Sequence, residues 1–558
     1  MFESLLKTAK ELGETHSPPD VPEALSRAVP EHVTVKDVRD LLAQEKDGVD
    51  AGTQNIQDSV AVLWAVYAVL KSHAGILERE EEEDGNPDTL SEIADAVGTI
   101  MEPVCPIVEA ADEEDNTNYT PLALKGALGL YILDLITRSS PQPPTPLPTS
   151  ALLSIVAYTR AADPWTADDA TAALAQSLLR THFPQDERAR TFIAECVLAG
   201  FLRPLFSRSK RRPAGVTASG RRAAYPAEEE DGGRYRYVGA EPEPEAKPWM
   251  HARRYAVTVF EWAVENADTS LIKSHWPLFT PVLLSLLDEP GTSIKLRALR
   301  ALRAFWARQP PGLMRDDTGL APVFEQAVFP AVLNLPSLTP EDESAELLAA
   351  AYPALFDMAG VVVVERGEED ETKTKTKKIG DFTEEQRALV DRIVREGIMT
   401  GYHHAKEHVR LVALLCEELR CLVDGIGILA VKYLKDFIPM TSEILTDPFG
   451  TKHPPSLLTA VRLLQAILRS CWPRIPGRGN EIIKTLMLCW LNIDDDEEAF
   501  FPGDGQPSPA DLRAELAKTA QMLSAIMKAA GVDMSERVGP LIAKEPQLSA
   551  LFRDYEAA

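Results

Sequence analysis

Apolar residues recur at three- and four-residue spacing along most of this chain, and polar turns cut the pattern into pieces of helical length. The segment 57–77 shows it first: Ile56, Val60, Leu63, Trp64, Tyr67 and Leu70 line one wide apolar face. Further segments follow in pairs. Residues 100–110 and 121–136 flank the polar turn DEEDNTNYT, and 151–162 and 167–182 follow the connector SPQPPTPLP. Later come 323–335 with 344–358, and 383–399 with 407–423. No alternation of strands and helices interrupts the series, so the chain is predicted to be all-α.

The stretch Val431 to Trp490 is the most informative. Leu457, Leu458, Val461, Leu464, Ile467 and Leu468 lie at helical spacing between turns that contain proline. Part of it repeats an earlier part. WPLFTPVLLSLLDEPGTSIKLRALRALRAFWAR (276–308) and FIPMTSEILTDPFGTKHPPSLLTAVRLLQAILR (437–469) each carry a proline inside the first helix, Pro281 or Pro439. Each then has a second proline in the turn, Pro290 or Pro448, with Asp288 or Asp447 before it and an amphipathic helix after it. An interior proline costs a helix about 3 kcal/mol unless the bend is used, so a recurrent one predicts a bend built into each repeat. The layout is that of HEAT repeats, whose period is about 40–47 residues. Three to four of them fit between the two landmarks. The fold class expected is therefore a HEAT-like helical-repeat solenoid with disordered insertions.

Composition places the insertions. Residues 207–247 are rich in Arg, Gly, Pro and Glu and poor in apolar residues, too few to offset the entropy of ordering them. They read as a disordered tether between N-terminal repeats (1–206) and C-terminal repeats (248–558). Segments 365–380 and 494–509 read as loops extruded from the array, and Glu78 to Asp84 as a solvated acidic run. The chain has a net charge of −27, which argues against nucleic acid as the main ligand, since phosphate binding requires a basic surface. The acidic N-terminal residues and the short apolar runs predict neither a secretory signal nor a membrane span, hence a soluble cytosolic protein. The run Lys210, Arg211, Arg212 is a candidate nuclear-import signal, with solvation of the tether as the plainer reading. Six scattered cysteines, in or beside apolar helical text, read as buried free thiols, and the sequon at Asn118 as a chance match.

Candidate chemistry is sparse, and neither cofactor nor catalytic residue is expected. Gly425-Ile426-Gly427-Ile428-Leu429-Ala430 has the spacing of a dinucleotide fingerprint, but helical rather than strand text precedes it, so the glycines read as a turn between packed helices. His404 and His408 are spaced as a zinc pair would be, with His403 beside them and Cys416 the nearest soft ligand. Position 405 is alanine where a metalloprotease helix needs its glutamate. The run Asp494 to Glu498 lacks the alternating ligands and central glycine of a calcium loop. Ordinary surface residues are the simpler reading of both clusters.

One electrostatic feature stands apart. Between Gly401 and Trp490 there are eleven bases and eight acids, a surplus of +3 in a chain of −27. Lys432, Lys435, Arg462, Arg469 and Arg474 are the candidate partner-binding residues on this stretch, for a partner surface of opposite charge. Pro281, Pro439, Trp472, Ile475 and Trp490 are the candidates for locking one repeat to the next. Trp472 is expected to be buried and Arg474 to point outward. Residues 515–528 and 536–555 are polar enough to cap the array.

Four passages carry a family resemblance: Trp276 to Pro290, LPSLTPEDES with LLAAAYPAL (335–355), VKYLKDFIP with ILTDPF (431–449), and above all LLQAILRSCWPRI (463–475). Together they resemble the Tel-two-interacting protein two family, over roughly residues 247–490. The resemblance implies a scaffold without catalytic activity, the smallest subunit of the trimeric TTT co-chaperone complex. Its direct partner would be the large HEAT-repeat subunit, with the Tel-two subunit as third member. Through them it would work with the Hsp-ninety chaperone and a RuvB-like ATPase co-chaperone in maturing phosphatidylinositol-3-kinase-related kinases, and so bear on TOR and DNA-damage signalling. A transport adaptor that binds protein cargo is the alternative for an acidic helical solenoid, and would require inner-face Trp and Asn ladders that the text does not show.

Overall fold

The computed structural model describes residues 2–12, 16–50, 55–73, 88–105, 118–139, 146–183, 186–207, 247–362, 382–495 and 506–552. The loop read at 365–380, the acidic run Glu78 to Asp84, and residues 208–246 of the tether (207–247) and 496–505 of the loop (494–509) lie outside the described residues, while Asp494, Asp495 and Pro509 are helical. Among those described every regular element is a helix, and the fold is all-α. They divide into two compact units, Met1–Ser285 with Arg308–Leu313, and Leu286–Ala307 with Met314–Ala558.

The first unit begins with α1 (Glu3–Leu12), α2 (Glu23–Ala28), α3 (Val35–Asp50), α4 (Ile56–Ser72), α5 (Asp88–Met101) and α6 (Thr120–Ser139). It continues with α7 (Thr149–Ala157), α8 (Asp169–His182) and α9 (Asp186–Thr191), which runs through a π-helical stretch, Phe192–Leu202, into α10 (Arg203–Ser207), and then α11 (Ala256–Asn266). Two layers form: α3, α5, α7 and α11 pack in succession on one side, and α1, α4, α6 and α8 on the other. Helix α4 is buried from Ser59 to Leu70, which explains why its apolar face is so wide. Each large apolar side chain so buried contributes roughly 1.5–3 kcal/mol. Helix α6 has the length and apolar composition of a membrane span. Lys125 and Asp134 interrupt its apolar residues. Its stretch from Leu122 to Leu130 is buried within the unit.

Two details of this unit depart from the sequence reading. The helix expected over 100–110 ends at Met101, because Pro103 cannot supply a ladder N–H group, and residues 106–110 lie outside the described residues. The backbone N–H of Cys105 instead donates to Ala252 O at 2.8 Å. Second, the residues after 247 join this first unit. Trp249 stacks on Phe206 at 4.9 Å between ring centroids, the Tyr255 hydroxyl donates to the Glu102 carboxylate, and Arg254 donates to the Tyr119 hydroxyl at 3.0 Å. Composition puts a division at 207–247, whereas contact density puts it near 285–314.

Helix α12 (Thr269–Leu287) contains Pro281, and the second unit follows with α13 (Thr292–Arg308), α14 (Ala321–Val328) and α15 (Glu341–Ala359). Then come α16 (Glu384–Arg392), a π-helical stretch Ile393–Met399, α17 (Thr400–His404), α18 (Val409–Ile426), α19 (Leu434–Leu445) and α20 (Pro454–Cys471). Last are α21 (Gly479–Asp495), α22 (Pro509–Ala529) and α23 (Ser535–Lys544). Helices α15, α18, α20 and α22 pack in succession as one layer, and α19 packs on α21 in the other. Local signals set the boundaries. Thr383 and Gln386 form a capping box at α16, and Ser508 and Asp511 another at α22, where Pro509 occupies the first turn. Gly360 ends α15 in the left-handed region at φ 70°. Pro439 lies inside α19 as Pro281 does inside α12, and Pro290 and Pro448 fall in the turns beyond.

Candidate partner-binding surface

The core of the second unit is α18 against α20. Leu411, Leu415, Leu419 and Leu422 of α18 and Leu457, Val461, Leu464 and Leu468 of α20 are buried at helical spacing. Arg420 and Asp424 of α18 and Arg462 and Arg469 of α20 lie between these buried residues and keep contact with solvent, and this sets where the cations go. Arg420 reaches Glu417 at 2.9 Å and Asp424 at 3.0 Å, and Arg469 of α20 reaches the same Asp424 at 3.1 Å. Asp424 thus ties the two helices together on their solvent side. Lys432 pairs with Asp391, which also accepts from the Tyr433 hydroxyl. Burial raises the pKa of Asp391, but the hydrogen bonds from Lys432 and Tyr433 outweigh it and hold the carboxyl below its ordinary range. Lys406 pairs with Glu443 at 2.6 Å and Arg478 with Glu481 at 3.2 Å.

These pairs engage five of the eleven bases of the stretch, Lys406, Arg420, Lys432, Arg469 and Arg478, and they sort the five candidate cations. Lys432 and Arg469 serve ion pairs between elements of the fold. Lys435, Arg462 and Arg474 have no acidic partner among the described residues. Lys435 and Arg474 are exposed, and Arg462 is half-buried on the outer stripe of α20. Lys484, also exposed and without an acidic partner among the described residues, joins them.

The repeat-locking residues divide as well. Ile475 is fully buried and Trp490 is 5% exposed. Pro281 is half-buried and Pro439 is exposed, so any part Pro439 plays is through the backbone of the helix that contains it. Trp472 corrects the expectation of burial: it is 57% exposed. Continued as an α-helix, α20 would bring Trp472 into line with Val461, Gln465 and Leu468 of its buried face. It does not continue. Pro473 has no N–H for the Arg469 carbonyl, Cys471 adopts φ −113° and ψ 14°, and residues Trp472–Arg478 form a 3-10 turn that swings the indole outward. No local signal distinguishes the two outcomes, because Pro473 can follow either a buried or an exposed residue.

The remaining motifs take structural places. Gly425 is buried where a Cβ would come within 2.3 Å of Val361 Cγ1, and Gly427 turns the chain at φ 55°. The spacing of this GxGxxA therefore serves close packing and a turn between helices. His404 ends α17 while His408 precedes α18, so the two do not share a helix face. His408 instead lies 2.9 Å from Glu341. Among the described residues no group of three or more His, Cys, Asp or Glu is placed to hold a metal ion. Asp494 accepts from Arg513. Cys105, Cys416, Cys471 and Cys489 are buried and Cys196 and Cys421 half-buried, all unpaired. Burial pushes the Cys416, Cys471 and Cys489 thiols up to about 12, far from the thiolate a nucleophile or metal ligand requires. A recess between Leu90, Ala94, Ile136 and Leu147 has a volume of about 10 Å³, room for about one water.

No curated protein sequence matches the chain. Among solved structures it is similar to the karyopherin Kap121p bound to the extreme C-terminus of the protein phosphatase Cdc14p, at 10% identity and a TM-score of 0.40, over 97% of this chain and 47% of that one. Kap121p bound to Pho4p is similar at 11% identity and a TM-score of 0.39, over 97% and 46%. Kap121p bound to Nup53p gives 12% and 0.40, over 97% and 46%. The chain spans about half the length of these structures. A family model matches at residues 151–452. That span takes in 151–246, where no motif of the resemblance was found, and stops before the passage 463–475 that carries it most strongly. The matched span is more than half of the chain, and the chain belongs to the Tti2 family.

Proposed function

We propose that this protein is a non-catalytic scaffold subunit of a TTT-like co-chaperone complex that supports the maturation and stability of phosphatidylinositol-3-kinase-related kinases. The observation that carries this reading is the family match over residues 151–452. The architecture is in keeping with it: stacked helix layers put their apolar faces inward and leave long polar edges for protein contacts. The direct partner is the large HEAT-repeat subunit, and the Tel-two subunit completes the complex. Contact with the Hsp-ninety chaperone, the RuvB-like ATPase co-chaperone and the client kinases is indirect. The site of action is the cytoplasm, with the nucleus a second location if Lys210 to Arg212 is read as an import signal.

Affinity purification of the tagged chain followed by mass spectrometry tests the reading. Recovery of two larger helical-repeat subunits is the expected result. Recovery of transport receptors and cargo without those subunits would favour the adaptor reading and overturn this one. The packing of Trp64, Trp165, Trp249, Trp262 and Trp490 in the interior argues against a tryptophan ladder offered to cargo.

A further inference from the structure

We infer that the turn Trp472–Arg478 is a docking knob for an acidic segment of the partner subunit, in which Trp472 anchors an apolar side chain and Arg474 receives a carboxylate. The inference rests on the reading of this chain as a subunit of such a complex.

Three observations converge on this turn. Of the eight tryptophans in the chain, Trp472 alone is exposed, at 57%; the others are buried or half-buried. Trp and Arg are among the residues most enriched at positions that dominate binding energy. The turn is also held before any partner arrives. Ile475 is fully buried at its centre, Pro473 and Pro476 restrict its backbone, and a Cβ on Gly479 just beyond would meet Met527 at 2.7 Å. A surface ordered in advance loses little freedom on binding. Finally, the nearby acids are already taken. Arg469 is paired with Asp424 and Arg478 with Glu481, which leaves Arg474 exposed and without a carboxylate among the described residues.

Charge complementarity selects the occupant. The chain carries a net charge of −27, and at this turn it offers a guanidinium without a carboxylate among the described residues, two positions from an exposed indole. The fitting partner is an acidic segment with an apolar side chain next to its carboxylate. An Arg–carboxylate contact made beside a ring that becomes buried is shielded from solvent and gains accordingly.

The test uses the full-length tagged chain, with recovery of the large HEAT-repeat subunit as readout. Trp472→Ala and Arg474→Glu are each expected to reduce recovery at least tenfold, and Trp472→Phe to retain part of it. Melting temperatures of the purified variants should match the parent, and Arg474→Glu decides the matter if Trp472→Ala alters folding. Parent and both variants recovering the subunit equally would overturn the inference and leave the complex reading intact. A parent that recovers no such subunit would overturn both. Self-association of the purified chain in sedimentation, abolished by Trp472→Ala, would also overturn it by making a second copy the occupant.

Discussion

Gly126 faces the ring of Tyr158 so closely that a Cβ at position 126 would lie 2.1 Å from Cε1. The ring cannot retreat easily, because its hydroxyl donates to Met101 O at 2.6 Å and it is fully buried. Gly126→Ala is therefore expected to destabilise the first unit by about 1–3 kcal/mol or more, read by chemical denaturation. Gly477→Ala, where an added Cβ meets no other part of the described residues within 4 Å, should change stability by less than about 0.5 kcal/mol.

Ile475 and Trp472 stand three residues apart and should behave oppositely. Truncating Ile475 to alanine leaves a cavity in a packed core and should cost about 2–5 kcal/mol. Trp472→Ala should change the melting temperature far less, since the residue is more than half exposed. A large loss for Trp472→Ala would show that the indole packs inward in solution.

Glu418 of α18 provides a pH signature. Burial, with some help from Glu417, raises its pKa from 4.5 to about 8 against the pull of Arg303 and Arg420. The folded state therefore keeps a proton that the unfolded chain releases above 4.5. This contribution to stability is complete below 4.5 and is lost as pH rises through about 8. Glu418→Gln should melt higher than the parent at pH values above about 8, with the difference shrinking towards the ordinary carboxylate range. A difference that does not vary with pH would refute the assignment.

Thr280 is fully buried in α12, and its hydroxyl has no hydrogen-bond partner among the described residues. Replacing it with the near-isosteric valine removes an unsatisfied group while keeping the shape. Thr280→Val is expected to be neutral or to stabilise by about 1–3 kcal/mol. A marked loss of stability would mean that the hydroxyl finds a partner in solution.

The Lys432 and Asp391 pair is partly exposed, so its energetic weight is small. A double-mutant cycle with Lys432→Ala and Asp391→Ala should give a coupling of roughly 0.2–1 kcal/mol that weakens with added salt. Coupling well above that range would make the pair a principal tie between α16 and the turn before α19.

Local information was enough for the class of fold. The periodicity of 323–335 and 344–358 anticipated α14 with its 3-10 extension and α15, and Pro281 and Pro439 were legible as prolines inside helices with a second proline in the turn beyond. The charge surplus of 401–490 was legible as a count. Its disposition was not, because the partners of Lys432 and Arg469 are Asp391 and Asp424, each more than forty residues away in the chain. A pairing across that separation depends on how helices stack, and no short window of sequence contains it.

The sequence alone determined what each segment could be, since helix periodicity, proline stops and glycine turns act within a few residues. Tertiary packing decided where each segment belongs and what it shows to solvent. It placed residues 247–285 with the first unit, set Gly425 against Val361, and left Arg474 without a carboxylate among the described residues while pairing its neighbours. It also turned Trp472 outward at the point where α20 ends. Burial and pairing are properties of the neighbours that folding brings together, and those neighbours come from distant parts of the chain.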